Sequence, residues 1–297
     1  MKSWASVYLP PISSKFIFSP LSLNDSAAGL VTPLPIKDIY RMYVCGITPY
    51  DATHLGHAAT YLTFDLVNRY LRAMGKDVQF VENVTDIDDP LLARATRDGV
   101  DWKDLALSQI ELFRADMSDL HVIPPAQYVG VVESIPLVIE AIAELESLGT
   151  VYDLDGDRYF SVRSDENFGS RARLSQAKMV ELFSERGGDP GRVGKHDPLD
   201  PLVWLQHRPN EPGWASPFGI GRPGWHIECC AIALNYLPAD PNDDYLIDIQ
   251  GGGSDLLFPH HEMGAAQARI HGGKEYARIY LHAGMIGLNG QIGRAHV

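Results

Sequence analysis

Short apolar segments alternate with amphipathic segments early in the sequence, and this alternation limits the folds open to the chain. Residues 39–45 predict a strand, and the apolar positions from Leu66 to Met74 recur every three or four residues, which predicts a helix. A second strand is predicted at residues 78–84 and a second helix at residues 102–117. This order is typical of a parallel sheet with crossover helices. We therefore predict an α/β fold with helices on both faces of a parallel sheet.

The pattern is interrupted near residue 124. A helix is predicted from Ser134 to Leu148, and two short apolar runs then flank Asp155-Gly156, a pair typical of a β-hairpin turn. The elements predicted beyond residue 200 are a helix at 228–236, a strand at 245–250, a helix from His261 and a strand at 279–284. The predicted units are an arm at 1–40, two halves of one α/β domain at 41–123 and 201–290, an insertion at 124–200 and a tail at 291–297.

The composition disfavours several classes of protein. No window approaches 18 consecutive apolar residues, and the opening Met1-Lys2-Ser3-Trp4 lacks the apolar core of an export signal. Three cysteines, two of them adjacent, provide no disulfide framework, so we expect a cytoplasmic protein. The formal net charge of −13 disfavours a large nucleic-acid surface, because lysine and arginine bind phosphate backbones.

Cys45, Cys229 and His260 are candidate zinc ligands. Cys45 ends a predicted strand, where parallel sheets place ligands, and Cys229 begins a predicted helix, whose dipole would lower the thiol pKa. Two thiolates and one imidazole are a common zinc ligand set, and three protein ligands leave one position open for a substrate. Buried packing would explain either cysteine alone, and it is the interpretation we give to Cys230. The three residues together favour a metal site.

Two glycine-rich segments are candidate nucleotide or substrate sites. His54 and His57 are predicted to share a face at a helix N-terminus, where imidazoles and free backbone N–H groups suit a triphosphate. Gly56 between them would let a nucleotide approach the backbone closely. Gly251-Gly252-Gly253-Ser254-Asp255 is predicted as a bare loop whose Asp255 could bind a ligand ammonium group. The alternatives are two surface histidines at a glycine cap and a plain flexible turn. Likewise, Trp225 would either wall a small pocket or fill the core.

Taken together, these segments resemble the cysteine-activating branch of the class I aminoacyl-tRNA synthetases. Cys45-Gly46-Ile47-Thr48 with His54-Leu55-Gly56-His57 is similar to the HIGH-type nucleotide motif and its preceding zinc cysteine. Residues 221–229 (GRPGWHIEC) and 251–262 (GGGSDLLFPHHE) are similar to the segments that carry the other zinc ligands. The resemblance covers about residues 42–287. It implies a Rossmann-like catalytic domain with a connective insertion, and AMP-forming activation of cysteine by ATP.

Several positions indicate which acceptor receives the cysteine. Ile47 and Pro49 stand where the synthetases usually carry proline and valine, and Gly264 stands where they commonly supply a glutamate as a fourth zinc ligand. Residues 185–190 (ERGGDP) and Ser3-Trp4 resemble instead a ligase of mycothiol biosynthesis, which joins cysteine to the amino group of glucosaminyl-inositol. The resemblance therefore implies L-cysteine, ATP and glucosaminyl-inositol as substrates, with no tRNA. A cysteinyl-tRNA synthetase and a non-catalytic zinc- or cysteine-binding paralogue stay open as alternatives.

The resemblance also implies a role for individual residues. One Zn²⁺ per chain is expected on Cys45, Cys229 and His260, and Mg²⁺ is expected with ATP. His54 and His57 are the implied catalytic residues. The residues implied to bind the adenylate or cysteine are Cys45, Gly46, Ile47, Thr48, Thr60, Asn83, Val84, Thr85, Trp225, Gly253, Ser254, Asp255 and Ile286. We expect a monomer that binds no membrane.

One signature of the class is missing from the sequence. A KMSKS-like motif, whose lysines bind the phosphates of ATP, is expected just after Asn289-Gly290. The chain closes instead on residues 292–297 (IGRAHV), which resemble a translated sequencing adaptor. We therefore predict that residues 291–297 are a non-native tail and that this chain turns over its substrates poorly.

Overall fold

The computed structural model describes residues 1–12, 15–288 and 291–292. Its strands are β1 (Ser22–Asp25), β2 (Leu30–Pro33), β3 (Ile39–Val44), β4 (Asp77–Val84), β5 (Gln127–Gly130), β6 (Val151–Leu154), β7 (Asp157–Phe160), β8 (Leu202–Gln206), β9 (Gly221–Pro223), β10 (Tyr245–Gly253), β11 (Glu275–Ala283), β12 (Gly287–Leu288) and β13 (Gln291–Ile292). Its α-helices are α1 (Leu55–Ala73), α2 (Asp89–Asp98), α3 (Trp102–Asp119), α4 (Val131–Ser147), α5 (Gln176–Glu185), α6 (Trp225–Tyr236) and α7 (His260–Gly272). Short 3₁₀ turns lie at Val162–Ser164 and Ser254–Leu257.

A five-stranded sheet with the order β11-β10-β3-β4-β5 forms the centre of the structure, and its strands pair in parallel. Successive residues of a strand point to opposite faces. Met42 and Val44 of β3 accordingly pack with the apolar sides of α1 and α3, whereas Tyr43 packs with α4, α6 and α7. The predicted α/β fold, with helices on both faces of a parallel sheet, is confirmed.

A second, antiparallel sheet with the order β6-β7-β8-β9 lies between the two parts of the parallel sheet in the sequence. Asp155 and Gly156 both have positive φ, 54° and 90°, so the β6–β7 turn is the hairpin that this residue pair predicts. We call residues 151–223, from β6 to the end of β9, the second-sheet segment. Its last strand leads directly into α6, which begins two residues after Pro223.

Some elements differ from the sequence-based expectation. The glycines at 251–253 are not a loop, because β10 continues through Gly253 and pairs with β11 throughout. The packing explains this: a Cβ on Gly251 would lie 2.3 Å from the ring of Phe64, so the strand can cross α1 only as glycine. Helix α4 begins at Val131, before the predicted Ser134, and contains Pro136. Strand β5 and helix α2 were not predicted.

The N-terminal residues are more ordered than their composition indicates. Strands β1 and β2 form a hairpin, and the backbone N–H of Ser26 donates to the carbonyl of Tyr280 in the edge strand β11. Trp4 is buried, and its Nε1 donates to the carbonyl of Val122 over 2.8 Å. The predicted arm therefore contributes side chains to the core.

The end of the sequence is covered only in part. Asn289-Gly290, after which the lysine signature was expected, and residues 293–297 of the predicted tail lie outside the described residues. Within the described ranges, no helix combines the length and apolar character needed to cross a membrane.

Candidate active site

The candidate site lies at the carboxyl edge of the parallel sheet. Cys45 directly follows β3, and its backbone N–H donates to the carbonyl of Gly251 in β10 over 3.0 Å. Helix α6 brings Cys229 to this edge, and α7 begins with His260. Parallel sheets commonly bind ligands at this edge, in the crevice that forms where the strand order reverses.

Cys45, Cys229 and His260 converge although they are far apart in the sequence. The two sulfur atoms are 4.0 Å apart, and His260 Nε2 lies 3.3 Å from the sulfur of Cys229. All the candidate ligand atoms lie within 4.8 Å of one another, and all three residues are buried. Among the residues that the structure describes, this is the one cluster with metal-ligand geometry. The predicted ligand set can therefore hold a metal ion.

The two thiols of the cluster differ in how readily they lose a proton. Burial raises the pKa of the Cys45 thiol well above its usual value. A hydrogen bond from Cys45, together with the nearby His260, lowers the pKa of Cys229. Cys229 is therefore the more readily deprotonated thiol of the pair. A bound cation would displace the thiol protons, because metal ligation requires deprotonated thiols.

A shell of further polar side chains surrounds the cluster. His226 Nδ1 lies 3.0 Å from His260 Nδ1, on the ring nitrogen that Cys229 does not occupy. His261 Nε2 lies 3.3 Å from the sulfur of Cys45, and Gln250 contacts both groups. Burial lowers the pKa of His226 and His261 well below the usual value, so both imidazoles are neutral. Such contacts orient metal ligands and fix their tautomers.

Sequence reasoning missed this shell. His226 immediately follows Trp225 in the GRPGWHIEC segment, and His261 follows His260, so adjacency to residues already chosen was the available signal. Trp225 is a predicted site residue, and its ring stacks on His260 with the ring centroids 4.5 Å apart. The ring therefore covers one side of the cluster.

Gly264 lines the same small cavity, of about 10 Å³, as Cys45, Cys229 and His260. A Cβ at this position would meet only the carbonyl oxygen of His226, at 3.8 Å, which is an ordinary contact. The structure thus admits a Cβ atom at this position, which glycine does not supply. The fourth side of the cluster is therefore left without a ligand from this position.

His54 and His57 lie together at the start of α1. His54 is the N-cap residue, and its Nδ1 accepts from the backbone N–H of Gly56 over 3.1 Å. The Nδ1 of His57 accepts from the backbone N–H of His54 over 3.3 Å, and the two rings stack at 4.0 Å. Because each Nδ1 accepts a hydrogen bond, each Nε2 carries the ring proton. Burial lowers the pKa of His57 to about 4, which keeps that ring neutral.

The ends of β3 and β4 are tied together by residues from the predicted site. The backbone N–H of Gly46 donates to Asn83 Oδ1, and the N–H of Thr85 donates to the carbonyl of Ile47, both over 2.9 Å. A Cβ on Gly46 would lie 1.6 Å from the carbonyl oxygen of Asn83. Only glycine therefore allows this approach. Val84, the last residue of β4, is buried.

The remaining predicted residues have more varied positions. Ser254 and Asp255 are exposed in the 3₁₀ turn that follows Gly253. The hydroxyl of Thr60 donates to the carbonyl of Gly56 in its own helix over 3.0 Å. Thr48 lies in the loop between β3 and α1, and Ile286 is exposed beyond the end of β11.

Comparison with known proteins first defines a class. Residues 33–293 match the family of tRNA synthetases class I (C) catalytic domain. The fold is similar to that of Mycobacterium tuberculosis methionyl-tRNA synthetase in complex with methionyl-adenylate, with a TM-score of 0.59 and 15% identity, over 84% of this chain and 57% of that chain. A second structure of that enzyme, bound by methionyl-adenylate, gives a TM-score of 0.61 at 15% identity, over 86% of this chain and 59% of that chain.

Relatives with higher identity narrow the class. The L-cysteine:1D-myo-inositol 2-amino-2-deoxy-alpha-D-glucopyranoside ligase of Kribbella flavida is 58% identical, over 98% of this chain and 70% of that protein. The proteins of the same name from Thermomonospora curvata and Nocardia farcinica are 52% and 54% identical, with the same coverage. The chain therefore belongs to the class I tRNA synthetase catalytic-domain family, within its branch of cysteine:glucosaminyl-inositol ligases.

Proposed function

We propose that this protein ligates L-cysteine to the amino group of glucosaminyl-inositol at the expense of ATP. The observation that carries the proposal is the buried cluster of Cys45, Cys229 and His260 at the carboxyl edge of the sheet. A metal ion held by this cluster could bind a thiol. Relatives that are 52–58% identical to this chain are named for this reaction.

The ion that fits the cluster is Zn²⁺, because two thiolates and one imidazole are ligands that it prefers. When bound, the ion would offer an open coordination position to the thiolate of cysteine and would disfavour serine, whose hydroxyl is a poorer ligand. Trp225, which stacks on His260, and Thr85, which directly follows β4, would shape the pocket around the cysteine side chain.

The proposed reaction has two steps. The carboxylate of cysteine attacks the α-phosphorus of ATP, giving a cysteinyl adenylate and pyrophosphate. The 2-amino group of glucosaminyl-inositol then attacks the acyl carbon, giving an amide and releasing AMP. Thr48, His54 and His57 would hold the nucleotide, because the two rings carry their protons on Nε2 and can donate to phosphate oxygens. ATP would enter with Mg²⁺.

Asp255 would bind the ammonium group of cysteine. Its side chain is exposed, and its Oδ1 lies against Gly253, where a Cβ would be only 2.4 Å from that oxygen. A carboxylate at this position would hold cysteine by the end opposite to its thiol. Two-point binding of this kind orients the substrate carboxylate for attack, and positioning supplies much of the rate in such reactions.

The test uses the chain extended after Gly287 by the C-terminal remainder of the Kribbella flavida ligase. With ATP and cysteine, addition of glucosaminyl-inositol should yield AMP and one equivalent of an amide product, measured by mass spectrometry. The same protein should leave tRNA uncharged. Formation of cysteinyl-tRNA would overturn the assignment in favour of a synthetase, and failure to release AMP with either acceptor would indicate a binding protein.

A further inference from the structure

The segment ERGGDP at residues 185–190 reaches from the second-sheet segment to the candidate site. Arg186 follows the last residue of α5, and its Nη1 donates to the backbone carbonyls of Asp255 and Phe258. These two carbonyls lie near the two ends of the 3₁₀ turn that connects β10 with α7. One guanidinium group therefore bridges the turn that carries Asp255.

The rest of the motif fixes the position of Arg186. Gly187 has a positive φ of 86°, and a Cβ on Gly188 would lie 2.4 Å from the ring of Phe183, so the chain turns sharply here only with two glycines. Asp189 then accepts from the hydroxyl of Tyr159 over 2.5 Å and from the ammonium of Lys195 over 2.9 Å. The loop is thus anchored to β7, and the Arg186 side chain extends from a rigid base.

A second contact holds the other end of the same connection. The carboxylate of Glu262, in the first turn of α7, accepts from the backbone N–H groups of Gly169 and Ala172 over 2.9 and 2.7 Å. It also accepts from Arg171 Nη1 over 2.9 Å, and both charged side chains are buried. Residues 255–262 are therefore held at both ends by the second-sheet segment, and they include Asp255 and His260.

The turn is held by the packing of Leu256 against the core and by the Arg186 contact. It is only four residues long, and Gly253, at its N-cap, provides no side-chain hydrogen bond. Turns of this type have poorer hydrogen-bond geometry than an α-helix. A charged donor shared by two carbonyls is a strong contact for so short a segment.

We propose that Arg186 is a positioning residue that holds Asp255 against the ammonium group of cysteine. The inference rests on the proposed function, because that function supplies the ligand of Asp255. The ERGGDP loop then acts on substrate binding through the backbone of the β10–α7 connection and does not touch the substrate.

The test compares two ligands that differ only in the amino group, cysteine and 3-mercaptopropionate. In calorimetric titrations of zinc-loaded protein, Arg186→Gln should lower the affinity for cysteine about tenfold. This is the effect expected from losing part of one charge-assisted hydrogen bond. Binding of 3-mercaptopropionate should change less than about twofold, because that ligand has no group for Asp255. Arg186→Lys should recover part of the affinity for cysteine. The matched control is Arg192→Gln, since the side chain of Arg192 contacts Leu154, Asp155, Asp157 and Tyr159, which all lie within the second-sheet segment.

The outcomes separate this inference from the proposed function. Equal weakening of both ligands in Arg186→Gln, or no weakening of cysteine, would overturn the positioning role. Failure of the unsubstituted protein to bind cysteine would refute the proposed function instead. Hydrogen exchange tests the contact between Arg186 and the turn without any ligand. Amides of residues 254–258 should exchange faster in Arg186→Gln than in Arg192→Gln, and equal rates would overturn the positioning role.

Discussion

Replacement of one cysteine in the adjacent pair Cys229-Cys230 should remove the metal, and replacement of the other should not. Cys229 Sγ contacts both other members of the cluster, at 4.0 Å from Cys45 Sγ and 3.3 Å from His260 Nε2. Cys230 lines the same small cavity but is not a member of the ligand cluster. Cys229→Ala and Cys230→Ala therefore form a matched pair of variants in one turn of one helix.

The expected size of the effect follows from the number of ligands. Structural zinc sites bind with about 10–16 kcal/mol of apparent free energy, shared among about four ligands. Loss of one thiolate should then cost roughly 3 kcal/mol, or more than about a hundredfold in affinity. Cys229→Ala also removes the sulfur atom that contacts both Cys45 and His260. Cys230→Ala removes one buried sulfur and should cost about 1 kcal/mol in the free energy of unfolding.

The assay measures zinc per chain by atomic emission after dialysis against a weak chelator, with the free energy of unfolding taken from urea denaturation. The unsubstituted protein and Cys230→Ala should each retain about one zinc per chain, and Cys229→Ala should retain little. Equal zinc content in all three proteins would refute the ligand assignment. Loss of zinc from both variants, with both still folded, would show that the helix as a whole, and not the Cys229 thiolate, determines binding.

Three further predictions test other parts of the site. Gly264→Glu should bind zinc more tightly and cysteine more weakly in calorimetric titrations, because a new carboxylate competes for the open coordination position. Gly46→Ala should lower the free energy of unfolding by about 3 kcal/mol, because its Cβ would overlap the Asn83 carbonyl, whereas Gly191→Ala, with open space around it, should be nearly neutral in urea denaturation. The 297-residue chain should bind zinc and cysteine. It should exchange pyrophosphate into ATP at least about a hundredfold more slowly than the chimera extended after Gly287, because the chimera regains the lysines of the KMSKS-like motif; equal exchange rates would refute this role of the lysines.

The parallel sheet could be predicted because its signal is local. Residues 39–45 and 78–84 are apolar runs next to helical periodicity, and such patterns depend on neighbours within one or two turns. The glycines of β10 were assigned to a loop for the same reason. Only the ring of Phe64, far away in the sequence, shows why the strand needs glycine at residue 251.

The convergence of Cys45, Cys229 and His260 depends on strand order, which periodicity does not reveal. The resemblance to a known class supplied that information, and the structure brings the three residues together. Resemblance did not supply the contacts of His226 and His261, because motif comparison names segments and not the hydrogen bonds between them. The bridge from Arg186 to the Asp255 carbonyl is likewise a contact between distant loops that no local pattern indicates.

The stacking of Trp225 on His260 gives the protein an internal optical reporter. The rings of Trp4 and Trp204 contact phenylalanine or tyrosine rings. The indole of Trp225, in contrast, stacks on the imidazole of His260. That imidazole would become electron-poor if a cation bound its Nε2 atom, which faces the sulfur of Cys229. Occupancy of the cluster should therefore change the emission of Trp225, and a Trp225→Phe variant, which keeps the other four tryptophans, should lose that change.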